Sequence, residues 1–139
     1  MRIGKLLAGI LPLVFAATGV VSCVTQPFVR AGASTEVDVD ARALESHVRM
    51  LAVTLHPRSV DNPPNLDRAA DYVLAQFNAT GAATEQQLVE ADGRQFRNLI
   101  ARFGPLDGPV VVIGAHYDSC GDTPGADDNA SGVAALLEL

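Results

Sequence analysis

The sequence is short of cysteine and of basic residues, and each shortage excludes a class of protein. Two cysteines in 139 residues cannot build the disulfide framework of a small secreted scaffold. Ten basic residues against sixteen acidic ones give a formal net charge of −6, which offers no support for nucleic-acid binding. The sequence also contains no internal repeat or low-complexity tract. What remains is a chain with 48% hydrophobic residues, enough for one globular domain of modest core.

The N-terminus has the residue order of a secretory signal sequence. Arg2 and Lys5 precede an apolar run over residues 6–21, which is long for a signal-peptide core and short for a membrane span. The run ends in the letters VVSC, of which the last is Cys23. This tetrapeptide resembles the bacterial lipobox, whose cysteine becomes the lipidated first residue of the mature protein.

Three alternatives to lipidation at Cys23 are compatible with the same residues. Cleavage after the small-residue motif Ala31-Gly32-Ala33, retention of the segment as an uncleaved anchor, and a cysteine without a role each fit part of the pattern. The order of basic, apolar and small residues favours lipidation. We therefore predict a lipoprotein signal peptide over residues 1–22 and a tether over residues 23–40. The protein is then expected in the cell envelope, lipid-anchored on the periplasmic or extracytoplasmic side.

Two helices are predicted in the first part of the domain. Apolar residues recur at helical spacing over residues 41–55, and Pro57 ends that pattern. The two consecutive prolines of residues 58–65 predict a loop there, with Asn65 as the cap of the second helix. Gly81 lies where a left-handed residue follows a helix. The inward face of the second helix is predicted to be Leu66, Ala70, Val73, Leu74 and Phe77.

The second part of the domain is predicted to be a hairpin, a buried strand and a final helix. Asp92-Gly93 between two strand-like runs is a hairpin signal. The unbroken apolar run Val110–Ile113 is typical of a central strand buried on both faces, and we predict a strand over Val110–Ala115. The helix that starts at residues 130–132 should turn Val133, Leu136 and Leu137 inward.

His116 follows the predicted central strand, and Asp118 stands two residues further on. Residues i and i+2 of an extended segment point to the same side, so the carboxylate can bind the imidazole and fix its tautomer. That is the arrangement of many zinc-bound histidines, but the pair alone is more typical of a hydrogen-bonded turn. His47 and His56 have no partner at ligand spacing and are predicted to be surface or capping residues.

Asp127 and Asp128 strengthen the metal interpretation. Two adjacent carboxylates near Asp118 and Asp122 repel one another unless water surrounds them or a cation neutralises them. A bridging carboxylate can hold two metal ions about 3.5–4 Å apart, as in co-catalytic aminopeptidase sites. A calcium loop is the rival reading, but the spacing does not fit its motif. Cys120, in the loop between the two motifs, is either a thiolate near the metals or a thiol without a role, and one cysteine favours the second.

The letters GAHYDS and PGADDNASG resemble the first two metal-binding segments of the zinc aminopeptidases of peptidase family M28. The resemblance extends over residues 41–139, and it implies an α/β zinc-exopeptidase fold with a mixed β-sheet flanked by helices. It further implies hydrolysis of N-terminal peptide bonds with two zinc ions. By resemblance His116 is a terminal zinc ligand, Asp128 is the bridging ligand, and Asp118 is the catalytic-site residue that orients His116. It also suggests an unusual backbone, such as a cis peptide bond, after Asp128.

The family pattern requires more than these residues supply. Its Glu-Glu pair, which contains the general base, and its later ligands have no counterpart here, so only two of five expected ligands are present. We therefore expect a domain truncated after the second metal-binding motif and inactive by itself. The alternatives are a non-catalytic envelope lipoprotein module and a related co-catalytic metallopeptidase, such as a carboxypeptidase or amidohydrolase. Expected partners are peptide substrates and, through the lipid anchor, the membrane, with no nucleic acid.

Overall fold

The computed structural model describes residues 17–21, 39–105 and 107–139. Contacts divide the chain into two units, Met1–Val37 and Asp38–Leu139. In the first unit the described residues 17–21 are helical. Cys23, most of the predicted signal peptide and nearly all of the predicted tether lie outside the described residues. Within the described part of the chain, no helix has both the length and the apolar character needed to cross a membrane.

The first predicted helix of the second unit is confirmed. Helix α1 spans Ala41–Arg49 and continues as a π-helical segment over Met50–Thr54. It begins after Asp40, whose carboxylate accepts a 2.8 Å hydrogen bond from the Arg42 N–H and so satisfies a free donor of the first turn. Its apolar stripe is buried at Leu51, so the helix packs against the core as its periodicity predicts.

His47 corrects a sequence prediction, because it is buried rather than exposed or capping. Its Nδ1 lies in hydrogen-bond contact with the Tyr72 hydroxyl, and its Nε2 lies 2.9 Å from a carboxylate oxygen of Glu138. Those two partners satisfy both ring nitrogens, which is the condition for burying a polar side chain. His47 is therefore a structural residue that joins α1 to two later helices.

Helix α2 spans Pro63–Ala79 and begins earlier than predicted. The predicted loop over residues 58–65 with Asn65 as cap is wrong, because the two prolines occupy the first helical positions and Asn62 is the cap. First-turn N–H groups have no acceptor within a helix, so proline loses no bond there, and its φ suits the helix. The buried face is close to the prediction: Leu66, Ala69, Ala70, Val73 and Phe77 are buried and Leu74 is half-buried. Gly81 follows at φ +75°, as predicted.

The hairpin prediction is confirmed. Strands β1 (Ala83–Ala91) and β2 (Arg94–Arg102) pair antiparallel, with Ala91 opposite Arg94 at the turn. Asp92 at φ 50° and Gly93 at φ 71° form the two-residue connection, a conformation that suits the right-handed twist of the strands. These two strands make up the whole sheet among the described residues.

The predicted central strand over Val110–Ala115 is wrong. Residues 109–119 form neither helix nor strand, and the side chains of Val111 and Val112 are 85% and 87% exposed. A β-branched run favours extended backbone, but a strand is buried only when other strands or helices cover it. In the described part of the chain the sheet ends at β2, so nothing pairs with this run.

The core lies where α1, α2 and the last helix meet. Helix α3 spans Ser131–Leu137, as predicted, and follows a π-helical turn over Ala126–Ala130 that is interrupted at Asp128 and Asn129. Half-buried Ala115 and Tyr117 pack against this core, which brings the segment around His116 beside the start of α3. The buried core residues are Leu51, Ala52, Leu55, Ala69, Val73, Phe77, Ala130 and Val133.

Candidate metal centre

His116 lies between two carboxylates. Its Nδ1 is 3.1 Å from Oδ1 of Asp118, and its Nε2 is 2.9 Å from Oδ1 of Asp128. The side chains of His116 and Asp118 are half exposed and that of Asp128 is 81% exposed, so the group opens to solvent. The structure thus brings together the three residues that the sequence singled out, and the role of each in binding metal stays a prediction.

The orientation of His116 follows from side-chain alternation along its segment. Ala115 and Tyr117 turn towards the core, so His116 and Asp118 share the outer side. The Tyr117 hydroxyl donates a 2.8 Å hydrogen bond to the carbonyl of Arg97 on β2, which ties the segment to the hairpin. Burial raises the pKa of the Tyr117 phenol, and the charge of Arg97 opposes this shift. The alternation is present without strand pairing, because packing and the hydrogen bonds of Tyr117 hold the segment.

The orientation of Asp128 follows from the tight turn before α3. Gly125 has φ +57°, and its carbonyl accepts a 3.0 Å hydrogen bond from the Ala130 N–H, which closes the turn. The peptide bond between Asp128 and Asn129 is cis, as the family resemblance suggested. Asp127 contributes its carbonyl, which accepts a 3.0 Å hydrogen bond from the Ser131 hydroxyl. Of the two adjacent aspartates, therefore, Asp128 is the one whose carboxylate contacts the imidazole.

The donor atoms of His116 and Asp128 fit a zinc ion in chemistry and in spacing. Imidazole nitrogen and carboxylate oxygen are common zinc ligands, and two such donors at about 2.0–2.1 Å from a tetrahedral zinc lie roughly 3.3 Å apart. The observed 2.9 Å separation needs little opening to reach that value. Among the described residues no group of three or more His, Cys, Asp or Glu side chains could hold a metal ion. The described part of the site therefore offers two protein donors.

The remaining candidates are not brought to the site. Cys120 is a free, exposed thiol, and its carbonyl accepts from the Thr123 hydroxyl. Asp122 contributes its carbonyl to Nε2 of His56 at 2.8 Å. No described hydrogen bond or ion pair joins the side chain of Cys120, Asp122 or Asp127 to His116.

A sequence model of peptidase family M28 matches residues 98–139, the segment that contains both motifs of the site. By this match the chain is similar to peptidase family M28 over its last part. The chain is also 48% identical over 122 residues to the uncharacterized protein YfbL of Escherichia coli (strain K12), covering 82% of the chain and 38% of that protein. It is 30% identical over 127 residues to leupeptin-inactivating enzyme 1 of Streptomyces exfoliatus, covering 88% of the chain and 29% of that enzyme.

A shorter match links the chain to a subunit of a protein complex. It is 60% identical over 40 residues to BOS complex subunit NCLN of Gallus gallus, which covers 26% of the chain and 7% of that subunit. The chain thus spans between 7% and 38% of the length of these relatives. No solved structure matches the chain significantly.

Sequence reasoning missed one residue that contacts both motifs of this site. Arg58 is fully buried, and its guanidinium donates hydrogen bonds to backbone carbonyls on either side of the site. Burial lowers the pKa of this guanidinium, and the negative charge of Asp118 opposes that shift. An arginine beside prolines has no spacing pattern that would reveal this role. Only the folded arrangement shows it.

Proposed function

We propose that the chain supplies part of the metal centre of a zinc-dependent aminopeptidase, with His116 and Asp128 as zinc ligands. The observation that carries this proposal is the imidazole of His116 held between Asp118 at 3.1 Å and Asp128 at 2.9 Å. The match of residues 98–139 to peptidase family M28 supports a peptidase, and the choice of aminopeptidase rests on the resemblance of the two motifs. Zinc bound here would lower the pKa of a coordinated water and polarise the scissile carbonyl.

Each of the three residues has a separate task in this proposal. Asp118 accepts the Nδ1 proton of His116, which leaves the Nε2 lone pair for the metal and raises its basicity. His116 presents Nε2 on the solvent side, where a metal ion can enter. Asp128 contacts the imidazole through Oδ1 alone, so its second oxygen is available to bridge to a second metal ion. Peptides are the proposed substrates.

We propose further that these 139 residues do not catalyse hydrolysis by themselves. A catalytic zinc site has three protein ligands and one open position, whereas two donors are present in the described residues. The family's general base also has no counterpart here, and a general base contributes about 10²–10⁴-fold in rate.

The test combines zinc binding with activity. Zinc affinity of the chain is measured by competition with a chromophoric chelator, for the natural sequence, His116→Ala, Asp128→Ala and the control His56→Ala. We expect the first two variants to lose binding and the control to keep it, since His56 lies outside the site. Equal binding by all four proteins would refute the ligand assignment.

Activity is measured with an aminoacyl-nitroanilide and zinc. The chain is compared with the product extended through the downstream reading frame, and we expect chelator-sensitive turnover from the extended product only. Robust turnover by the 139-residue chain would overturn the proposal that it is inactive. It would mean that Asp122 or Asp127 completes a metal site.

The second candidate function is a non-catalytic envelope module. It is favoured by the two-donor site and by the 60% identity over 40 residues to BOS complex subunit NCLN, whose name describes a subunit of a complex. Absence of zinc binding by the chain, together with an inactive extended product, is the outcome that supports this candidate.

The proposed location is the cell envelope, with a lipid anchor on Cys23. The support is the VVSC tetrapeptide after an apolar run with a basic start. Cys23→Ser should abolish labelling by a radioactive fatty acid and release the protein from the membrane fraction, whereas Cys120→Ser should change neither. Unchanged labelling of Cys23→Ser would refute the lipobox.

A further inference from the structure

We propose that Arg58 is the positioning residue of this site, whose buried guanidinium holds the two metal-binding segments against each other. The approach of His116 to Asp128 would then depend on a side chain whose described hydrogen bonds go to neither of their side chains. The role rests on the proposed function for the identity of the metal, but the geometry it explains exists without a metal.

The guanidinium donates hydrogen bonds to backbone carbonyls of both metal-binding segments. Nε donates a 2.8 Å hydrogen bond to the carbonyl of Tyr117, the residue between His116 and Asp118. Nη1 donates to Pro124 at 2.8 Å and Nη2 donates to Gly125 at 3.0 Å. Gly125 opens the turn that carries Asp128, so one planar group spans both segments.

Arg58 is also held on the side that faces the core. Nη1 also donates to the carbonyl of Leu51, a fully buried core residue. The backbone of Arg58 pairs with Ser119, since the Ser119 N–H donates to the Arg58 carbonyl at 3.0 Å and the Arg58 N–H donates to the Ser119 hydroxyl at 3.2 Å. Arg58 is therefore fixed at its backbone and at the tip of its side chain.

The charge of Arg58 argues for a specific role. The side chain is 0% exposed, and none of the ion pairs among the described residues includes it. A buried charge without an ion pair is destabilising unless hydrogen bonds compensate it, and here four carbonyl groups do so. An apolar side chain could fill the same volume without that requirement. The planar set of N–H donors distinguishes Arg58 from a side chain that only fills space.

The turn is shaped to admit the guanidinium. A Cβ atom on Gly125 would lie 2.9 Å from Nη2 of Arg58 and 2.7 Å from the Asp128 carbonyl oxygen. A lysine at position 58 would present three donors from one point, which cannot span carbonyls on both segments. The arrangement therefore requires both the arginine and the glycine.

The experiment measures the geometry of His116 without metal. Ring nitrogen and carbon shifts of His116 are recorded by NMR in the full chain, for Arg58→Lys, Arg58→Met and the control Val73→Ala. Val73 is buried in the same core, and its side chain contacts neither segment through a hydrogen bond. Circular dichroism identifies a temperature at which each variant is folded.

We expect both Arg58 variants to give the His116 ring shifts of Asp128→Asn, in which the contact is removed, and Val73→Ala to keep the natural shifts. Zinc affinity should fall about 10–100-fold in the Arg58 variants, as for the loss of a group that orients a ligand. The proposal would be overturned if folded Arg58→Met kept the His116 shifts of the natural chain. It would also be overturned if Val73→Ala changed those shifts as the Arg58 variants do. If Arg58→Met does not fold, Arg58→Lys decides, because it keeps the positive charge and removes the planar set of donors.

The two proposals fail in different ways. A natural chain that does not bind zinc refutes the metal centre and leaves the NMR result on Arg58 intact. If the Arg58 variants keep the His116 ring shifts of the natural chain, the positioning role of Arg58 is refuted and the zinc-binding proposal is unaffected.

Discussion

At the scale of single residues, the contact between Asp118 and His116 decides which imidazole nitrogen faces solvent. With Nδ1 held at 3.1 Å by a carboxylate, Nε2 is left to face Asp128 and any metal ion. The contact costs no backbone rearrangement, because the two side chains lie on the same side of one short segment. A change confined to the Asp118 carboxylate therefore tests the orientation of His116 without removing a ligand.

Asp118→Asn should lower the zinc affinity of the chain by about 10–100-fold, the usual effect of removing a carboxylate partner from a zinc-bound histidine. The amide is similar in size but uncharged, so it accepts the imidazole proton less strongly. Asp122→Asn is the matched control, because the same change four residues further on affects a carboxylate without a described contact to His116. Competition with a chelator measures both. Equal losses in the two variants would show a general charge effect and contradict the orienting role.

Tyr72 and Tyr117 can be titrated individually, since the chain contains two tyrosines and no tryptophan. Burial raises the pKa of both phenols above the ordinary value of 10.0. A raised pKa in the folded state means that the neutral phenols stabilise the fold fully below pH 10.0, and that this stabilisation is lost as the pH rises through the folded pKa.

Absorbance at 295 nm should therefore show a midpoint above pH 10.0 for the native chain and a midpoint near the ordinary value in urea. Tyr117→Phe should halve the amplitude and leave a single raised midpoint from Tyr72. A native midpoint at or below that of the urea sample would contradict the burial of both phenols.

At the scale of elements, the side chain of Asn129 lies close against Gly132 where the turn leads into α3. A Cβ atom on Gly132 would lie 2.1 Å from Oδ1 of Asn129, far inside van der Waals contact. Alanine normally stabilises a helix interior relative to glycine by about 1 kcal/mol. Here the displacement of Asn129, the residue after Asp128, opposes that gain.

Gly132→Ala should lower the free energy of unfolding by about 1–3 kcal/mol, the usual range for overpacking a tight site. Gly114→Ala is the control, because no atom lies within 4 Å of a Cβ built there and the residue is exposed. Urea unfolding of both variants measures the difference. An unchanged or raised midpoint for Gly132→Ala would mean that Asn129 moves without cost.

The predictability of each element follows from how local its determinants are. Periodicity located α1 and α2, and Asp92-Gly93 located the hairpin, because each signal lies within one element. The predicted start of α2 is too late, because the prediction assumes that proline interrupts a helix, whereas the first turn of a helix tolerates proline. The predicted burial of Val110–Ile113 is wrong, because burial depends on neighbouring elements that no local pattern specifies.

At the scale of the whole molecule, the exposed apolar run Val110–Ile113 is the main hazard to solubility. Four consecutive β-branched residues that are exposed and belong to no strand of the described residues form a template for pairing with another chain. The net charge of −6 opposes association in general but places no charge on this run.

Val111→Lys should reduce aggregation of the chain and leave its thermal midpoint unchanged, because the side chain is 85% exposed. Val53→Lys is the matched control, an exposed valine outside the run whose replacement should not change aggregation. Light scattering against time at a fixed concentration measures the effect. Equal improvement in both variants would attribute it to net charge, and no improvement in Val111→Lys would show that aggregation starts elsewhere.

Local sequence was enough to predict the helices, the hairpin and the grouping of His116, Asp118 and Asp128, because periodicity and motif letters are properties of short stretches. It also indicated the similarity to peptidase family M28, which residues 98–139 carry. Packing of distant segments, in contrast, buries His47, leaves Val110–Ile113 uncovered and lets Arg58 join the two motifs. Each of these depends on contacts between residues far apart in the chain, such as Arg58 with Tyr117 and Gly125, and such contacts exist only once the elements have packed.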